Sequence, residues 1–161
     1  MSPCFSRVTL LLAVDSLWTF AVTSSQFVEM LYQTPRARQS DVNALHIIHS
    51  RGDHWLVMTT IGCSDSEVKI FDSAYSSIDE ETSKLVCKLL GRLANITVVG
   101  IPKQLGGQDC GLFAIAIATS LATGGDPAEV VYDQAAMRAH LVKCFENLCL
   151  SPFPCIPPFK D

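Results

Sequence analysis

Cys110 closes the segment Gln104-Leu105-Gly106-Gly107-Gln108-Asp109-Cys110-Gly111, a glycine-rich loop that delivers a thiol to the start of an almost wholly apolar run. If that run is a helix, the thiol sits on its first turn. A helix N-terminus carries about half a positive charge and presents unpaired N–H groups. Such a setting lowers a thiol pKa and favours the nucleophilic thiolate, and the same N–H groups can bind an oxyanion. Thiol-based acyl chemistry also needs an imidazole in reach, a group that orients it, and donors for the developing negative charge. His54 and Asp72 are candidates for base and orienting acid, and either Gln104 or Gln108 can supply a side-chain amide.

The elements that must position these residues read as follows. Ala44 to His49 and Trp55 to Thr60 are short β-prone runs separated by Ser50-Arg51-Gly52-Asp53, a turn composition that predicts a hairpin with His54 at a strand start. Val68 to Phe71 alternates as a third strand, ending beside Asp72, and these neighbours predict an antiparallel meander. From Asp79 to Leu90 the apolar positions Val86, Leu89 and Leu90, acidic residues in the first turn and Gly91 past the end predict a helix. Ile96 to Val99 reads as a fourth, buried strand, and Pro102 to Gln108 as a loop. Gly111 to Leu121 predicts a buried central helix. Asp126-Pro127 opens a short helical turn, Asp133 caps a last helix from Gln134 to about Cys149, and Pro152, Pro154, Pro157 and Pro158 end regular structure.

Together these residues carry a resemblance. His54-Trp55-Leu56, Phe71-Asp72-Ser73, Pro102-Lys103-Gln104 and Gln108-Asp109-Cys110-Gly111-Leu112-Phe113 resemble the ubiquitin-like protease family, which includes the proteases that process and deconjugate SUMO. The order His, Asp, Gln, Cys matches, as does a Gln six residues ahead of the nucleophile, over roughly residues 44 to 122. The resemblance implies an α+β, papain-like fold with a central, mostly antiparallel sheet and a buried helix carrying the nucleophile at its N-terminus. It implies that Cys110 attacks the carbonyl after a Gly-Gly tail, with His54 as base and then acid and Asp72 holding the imidazole. The Gln104 amide and the Cys110 backbone N–H then form the oxyanion hole, and Trp55 and Gly107 line the channel for the glycine tail. A ubiquitin-like modifier or its conjugates is the implied partner, the chain acts as a monomer in nucleus or cytoplasm, and no cofactor or metal is expected. The same nucleophile on this fold also suits a thiol acyltransferase, or a modifier-binding module with impaired turnover. The Trp-Leu-Asp-type segment that precedes the His strand in the family is not found, Asp15-Ser16-Leu17-Trp18 being a poor match, so the N-terminal part is expected to be truncated or replaced. The stretch from Tyr132 to Pro154 is similar to versions of the family associated with mobile elements.

Size and composition fit this reading. A chain of 161 residues with 48% hydrophobic and 17% charged residues supports one packed core. We divide it into an N-terminal apolar segment and loop (1–40), a catalytic domain (41–150) and a Pro-rich tail (151–161). A net charge of −4 with scattered Lys and Arg leaves no basic face for nucleic acid. Seven cysteines at irregular spacing fit a reducing compartment. The apolar run Val8 to Val14 after Arg7 is interrupted by Asp15 and is far short of the ~20 residues of a membrane span; it reads as a buried helix or strand, with a cleaved signal segment as the alternative. Gln33 to Ser40 reads as an exposed loop. The remaining candidates have plainer readings. Cys63, Cys87, Cys144, Cys149 and Cys155 lack the setting of Cys110, and His46 and His49 point to opposite faces of one strand, which spoils a shared metal site. His140 lies within the last helix. Asp53 and Asp109 each adjoin another site residue and point away from it if the backbone is extended, which leaves Asp72. Asn95-Ile96-Thr97 matches a glycosylation sequon inside a strand.

Overall fold

In the computed structural model the described residues are Thr9–Val14, Trp18–Val22, Val28–Met30 and 44–156. The first three segments are strands β1, β2 and β3. The apolar start expected as a helix or strand is thus a strand, and β1 runs parallel to β4 (Ala44–Ser50), Leu11 opposite His46. The expected loop at Gln33 to Ser40, the interrupting Asp15, Cys4 and the prolines 157 and 158 lie outside the described residues.

From β4 onward, local chemistry explains each element. Ser50 pairs with His54 to close a hairpin between β4 and β5 (His54–Thr59), and its turn uses two successive left-handed residues, Arg51 at φ 56° and Gly52 at φ 80°. β6 (Glu67–Phe71) continues the antiparallel meander, with Val57 opposite Phe71. Helix α1 (Glu80–Leu90) starts at Asp79, whose carboxylate accepts from the Thr82 N–H, and stops at Gly91 in the left-handed conformation at φ 66°. Strand β7 (Asn95–Val99) returns parallel to β6, as a crossover through a helix requires. Helix α2 (Cys110–Ala122), a 3-10 turn (Pro127–Glu129) and helix α3 (Gln134–Glu146) complete the chain order.

The strand order is β3-β2-β1-β4-β5-β6-β7. Four of the six pairings are antiparallel and two parallel, so the sheet is mixed and mostly antiparallel. Alternation along the strands builds a core on each face. Leu45, Ile47, Val57 and Phe71 pack against α2 through Phe113, Ala114, Ile117 and Ala118. Ile48, Leu56, Met58, Val68 and Ile70 pack with Val86 of α1 on the other face. One expectation fails here: β7 is not a buried strand but the edge of the sheet, and Asn95 and Thr97 are exposed. Phe153 is buried in the α2-side core, and Cys155 bridges back to Tyr132. Among the described residues no helix is long and apolar enough to cross a membrane.

Candidate active site

Strand direction brings the candidate residues to one end of the sheet. β5 begins at His54 where its antiparallel partner β6 ends, Asp72 being the next residue, and β7, parallel to β6, ends at the same side with Val99 opposite Phe71. The loop from Gly100 to Asp109 therefore leaves the sheet at that end, and α2 starts from it with Cys110.

His54 and Asp72 meet directly. His54 Nε2 lies 2.9 Å from Asp72 Oδ1, with His54 5% exposed and Asp72 fully buried. The same carboxylate oxygen accepts from the backbone N–H groups of Ala74, at 2.7 Å, and Tyr75, at 2.8 Å. Burial alone pushes the Asp72 carboxyl up, but the His54 bond and the two backbone donors outweigh it and hold the group below the usual carboxylate range. Asp72 is therefore an anion at neutral pH. It accepts from Nε2–H, which fixes the neutral ring in the tautomer whose lone pair is on Nδ1.

The acid-bearing turn is strapped on both sides. Lys103 Nζ donates to the carbonyls of Asp72, at 2.8 Å, and Tyr75, at 2.6 Å. Gln104 N–H donates to the Ser73 carbonyl and Ser73 Oγ to Gln104 Oε1, at 2.9 and 2.6 Å. Tyr75 meets the imidazole edge-on at 5.0 Å, and Arg51 lies over the Tyr75 ring at 4.2 Å while its Nη2 donates to the Ser77 carbonyl.

Cys110 is the first residue of α2, 7% exposed, its Sγ 3.8 Å from the carbonyl of Asp53, the residue that leads into His54. Trp55 packs over the same turn, so close to Gly111 that an added Cβ would lie 3.4 Å from Trp55 Cδ1. Trp55, Gly107, Gln108, Cys110 and Gly111 share a cleft of about 780 Å³ that continues between α2 and α3 to Leu141 and Phe145. Gln104 stands differently from its expected oxyanion role: its Nε2 donates to the Gly106 carbonyl at 2.9 Å, leaving one N–H of that amide uncommitted. Asp53 is exposed, and Asp109 turns its carboxylate to Gln134 and Arg138 of α3, so neither competes for the imidazole. His46 is buried, its Nδ1 without a partner among the described residues, and His49 meets the Trp55 ring at a tilt, 4.7 Å between centroids.

Sequence reasoning gave no role to the straps Arg51, Ser73, Tyr75, Lys103, Gln134 and Arg138. The local signals were Ser73 directly after Asp72 and Lys103 directly ahead of Gln104, both within the motifs that carry the resemblance.

Solved structures supply the comparison. The chain matches the SUMO protease Ulp1 with its catalytic cysteine oxidized to a sulfonic acid, at TM-score 0.50 and 15% identity, covering 65% of this chain and 53% of that one. The fold is that of the Ulp1 protease. The same protease with the cysteine as a sulfenic acid matches at TM-score 0.49, 16% identity, 65% and 52% coverage. The Xanthomonas campestris effector XopD bound to ubiquitin matches at TM-score 0.43 and 17% identity, with 63% of this chain and 60% of that one covered. The chain thus spans about half the length of the Ulp1 structures it matches. No protein-family model matches the chain, and no curated protein matches it in sequence.

Proposed function

We propose that this chain is a cysteine peptidase that hydrolyses the peptide or isopeptide bond after the C-terminal Gly-Gly of a ubiquitin-like modifier, with Cys110 as nucleophile. The observation that carries the reading is the buried His54–Asp72 pair set at the same sheet end as a thiol on a helix N-terminus.

With Nε2 bound to Asp72, His54 takes the Cys110 proton at Nδ1, and the thiolate forms a bond to the scissile carbonyl carbon. The carbonyl oxygen becomes an oxyanion, held by first-turn N–H groups of α2 and the uncommitted N–H of Gln104. The tetrahedral species collapses as the C–N bond breaks, and the imidazolium returns its proton to the departing amine. Water then adds to the thioester with His54 again as base, which frees the modifier acid and restores the thiol. Trp55 and Gly107 line the cleft at Cys110 and receive the glycine tail.

Modifier–peptide fusions of several classes, incubated with the wild-type chain and with Cys110→Ser and His54→Ala, test this. Cleavage after Gly-Gly by the wild type and by neither variant is expected. Cleavage that persists in Cys110→Ser, or capture of a modifier with no turnover by the wild type, sinks the peptidase reading.

A further inference from the structure

Among the described residues four helical segments begin directly after an aspartate, and three of those aspartates cap them. Asp79 accepts from Thr82 N–H at 2.7 Å, Asp126 from Ala128 N–H at 2.9 Å and Asp133 from Ala136 N–H at 3.3 Å. Asp109, ahead of Cys110, makes no such bond. Its backbone, at φ −110° and ψ 9°, departs from the extended values of Asp79 at φ −85° and ψ 174°. Its two carboxylate oxygens are engaged elsewhere: Oδ2 accepts from Gln134 Nε2 at 2.7 Å and Oδ1 pairs with the Arg138 guanidinium. Gln134 also holds the loop before Cys110, its Oε1 accepting from Leu105 N–H at 2.8 Å and its Nε2 donating to the Leu105 carbonyl at 2.9 Å.

An N-cap carboxylate accepts from the second or third N–H of its helix, here Gly111 or Leu112, and sets a negative charge beside the Cys110 N–H that serves the oxyanion. Asp is among the strongest capping residues, and at this helix start the cap bond is missing where the carboxylate is tied to α3 and the backbone departs from the capping conformation.

We propose that Gln134 and Arg138 are positioning residues that hold the Asp109 carboxylate away from the first turn of α2, keeping that helix end free of a competing negative charge when the oxyanion forms at Cys110. The inference deepens the reading of Cys110 as a nucleophile and rests on it for its catalytic meaning. Its structural half stands alone. Freed from α3, Asp109 turns, backbone and side chain together, into the capping position, where its charge repels the oxyanion, and so stabilises the helix while disabling it.

The test compares wild type, Asp109→Ala, Gln134→Ala/Arg138→Ala and the triple variant in the full chain. Two readouts are followed: amide hydrogen exchange at Gly111 and Leu112, and kcat and KM on a modifier–peptide fusion. The double variant is expected to exchange these amides more slowly than wild type, and the triple variant to exchange them fast again. A merely structural loss gives the opposite sign, faster exchange in the double variant. In turnover, the double variant loses roughly 10- to 100-fold in kcat with KM little changed, and adding Asp109→Ala recovers most of that loss. Faster exchange in the double variant, or a kcat loss that Asp109→Ala leaves untouched, overturns the proposal. If the wild type itself turns nothing over, the peptidase reading fails, and the sign of the exchange change still decides whether α3 restrains Asp109.

Discussion

At the scale of the residue, Asp72 is the hub. One buried oxygen accepts from the imidazole and from two backbone N–H groups, so the carboxylate both orients His54 and closes the turn after β6. Asp72→Ala leaves the buried imidazole and two partly buried backbone N–H groups without their acceptor, and a loss of about 2 kcal/mol in chemical denaturation is expected. Asp72→Asn is close in shape and can keep its carbonyl oxygen at the Oδ1 position to accept from all three donors, its NH2 taking the place of Oδ2, which has no partner among the described residues, but it loses the negative charge that favours the imidazolium. Its expected signature is a large drop in Cys110 alkylation rate with a smaller loss of stability, read by iodoacetamide kinetics beside melting. The depressed carboxyl also sets an acid limit. A carboxylate whose folded pKa lies below its unfolded value of about 3.9 stabilises the fold above that pH and loses the contribution as pH falls toward the folded value.

At the scale of the element, α1 and α2 are held by different physics. α1 is amphipathic, capped at Asp79 and stopped at Gly91, whereas α2 is uncapped and held by burial of Phe113, Ala114, Ile117 and Ala118 between sheet and surface. Asp79→Ala is therefore expected to lower stability by about 1 kcal/mol, and Ile117→Ala by about 3 kcal/mol through the cavity it leaves. Urea titration of both variants orders them; equal losses contradict this division. What the sequence revealed follows the same line. The periodicity and end signals of α1, the Ser50–Asp53 turn and the apolar run of α2 are local, and they appear in the chain as expected. The edge position of β7 and the pairing of β1 with β4 depend on contacts between distant segments, which no local pattern encodes, so a strand rich in Val and Ile read as buried. That strand and helix ends bearing His54, Asp72 and Cys110 share one side of the sheet was legible from their positions. The ties that hold that end together were not, because Lys103 finds its partners 31 and 28 residues away and Asp109 its partners 25 and 29 residues away.

At the scale of the whole molecule, His46 inside the sheet gives folding a pH dependence separate from that of the site. Burial lowers its pKa from 6.5 to about 4, and its Nδ1 has no partner among the described residues. Between those values the unfolded chain binds a proton that the folded chain refuses, so stability falls as pH drops from 6.5 to about 4, by about 3 kcal/mol in all, and this group adds nothing below that. His46→Leu is expected to flatten the denaturation midpoint across that window while leaving the steeper loss at lower pH, to which Asp72 contributes. An unchanged slope contradicts the assignment. The central claim is more exposed to test: one thiol of the chain's seven is a nucleophile made by its place in the fold. The most direct measurement is intact-mass and peptide-level analysis after exposure to a modifier whose Gly-Gly tail ends in a thiol-reactive electrophile. The account predicts a single adduct at Cys110, absent in Cys110→Ser and slowed at least tenfold in His54→Ala; adducts spread over several cysteines, or labelling indifferent to His54, contradict it.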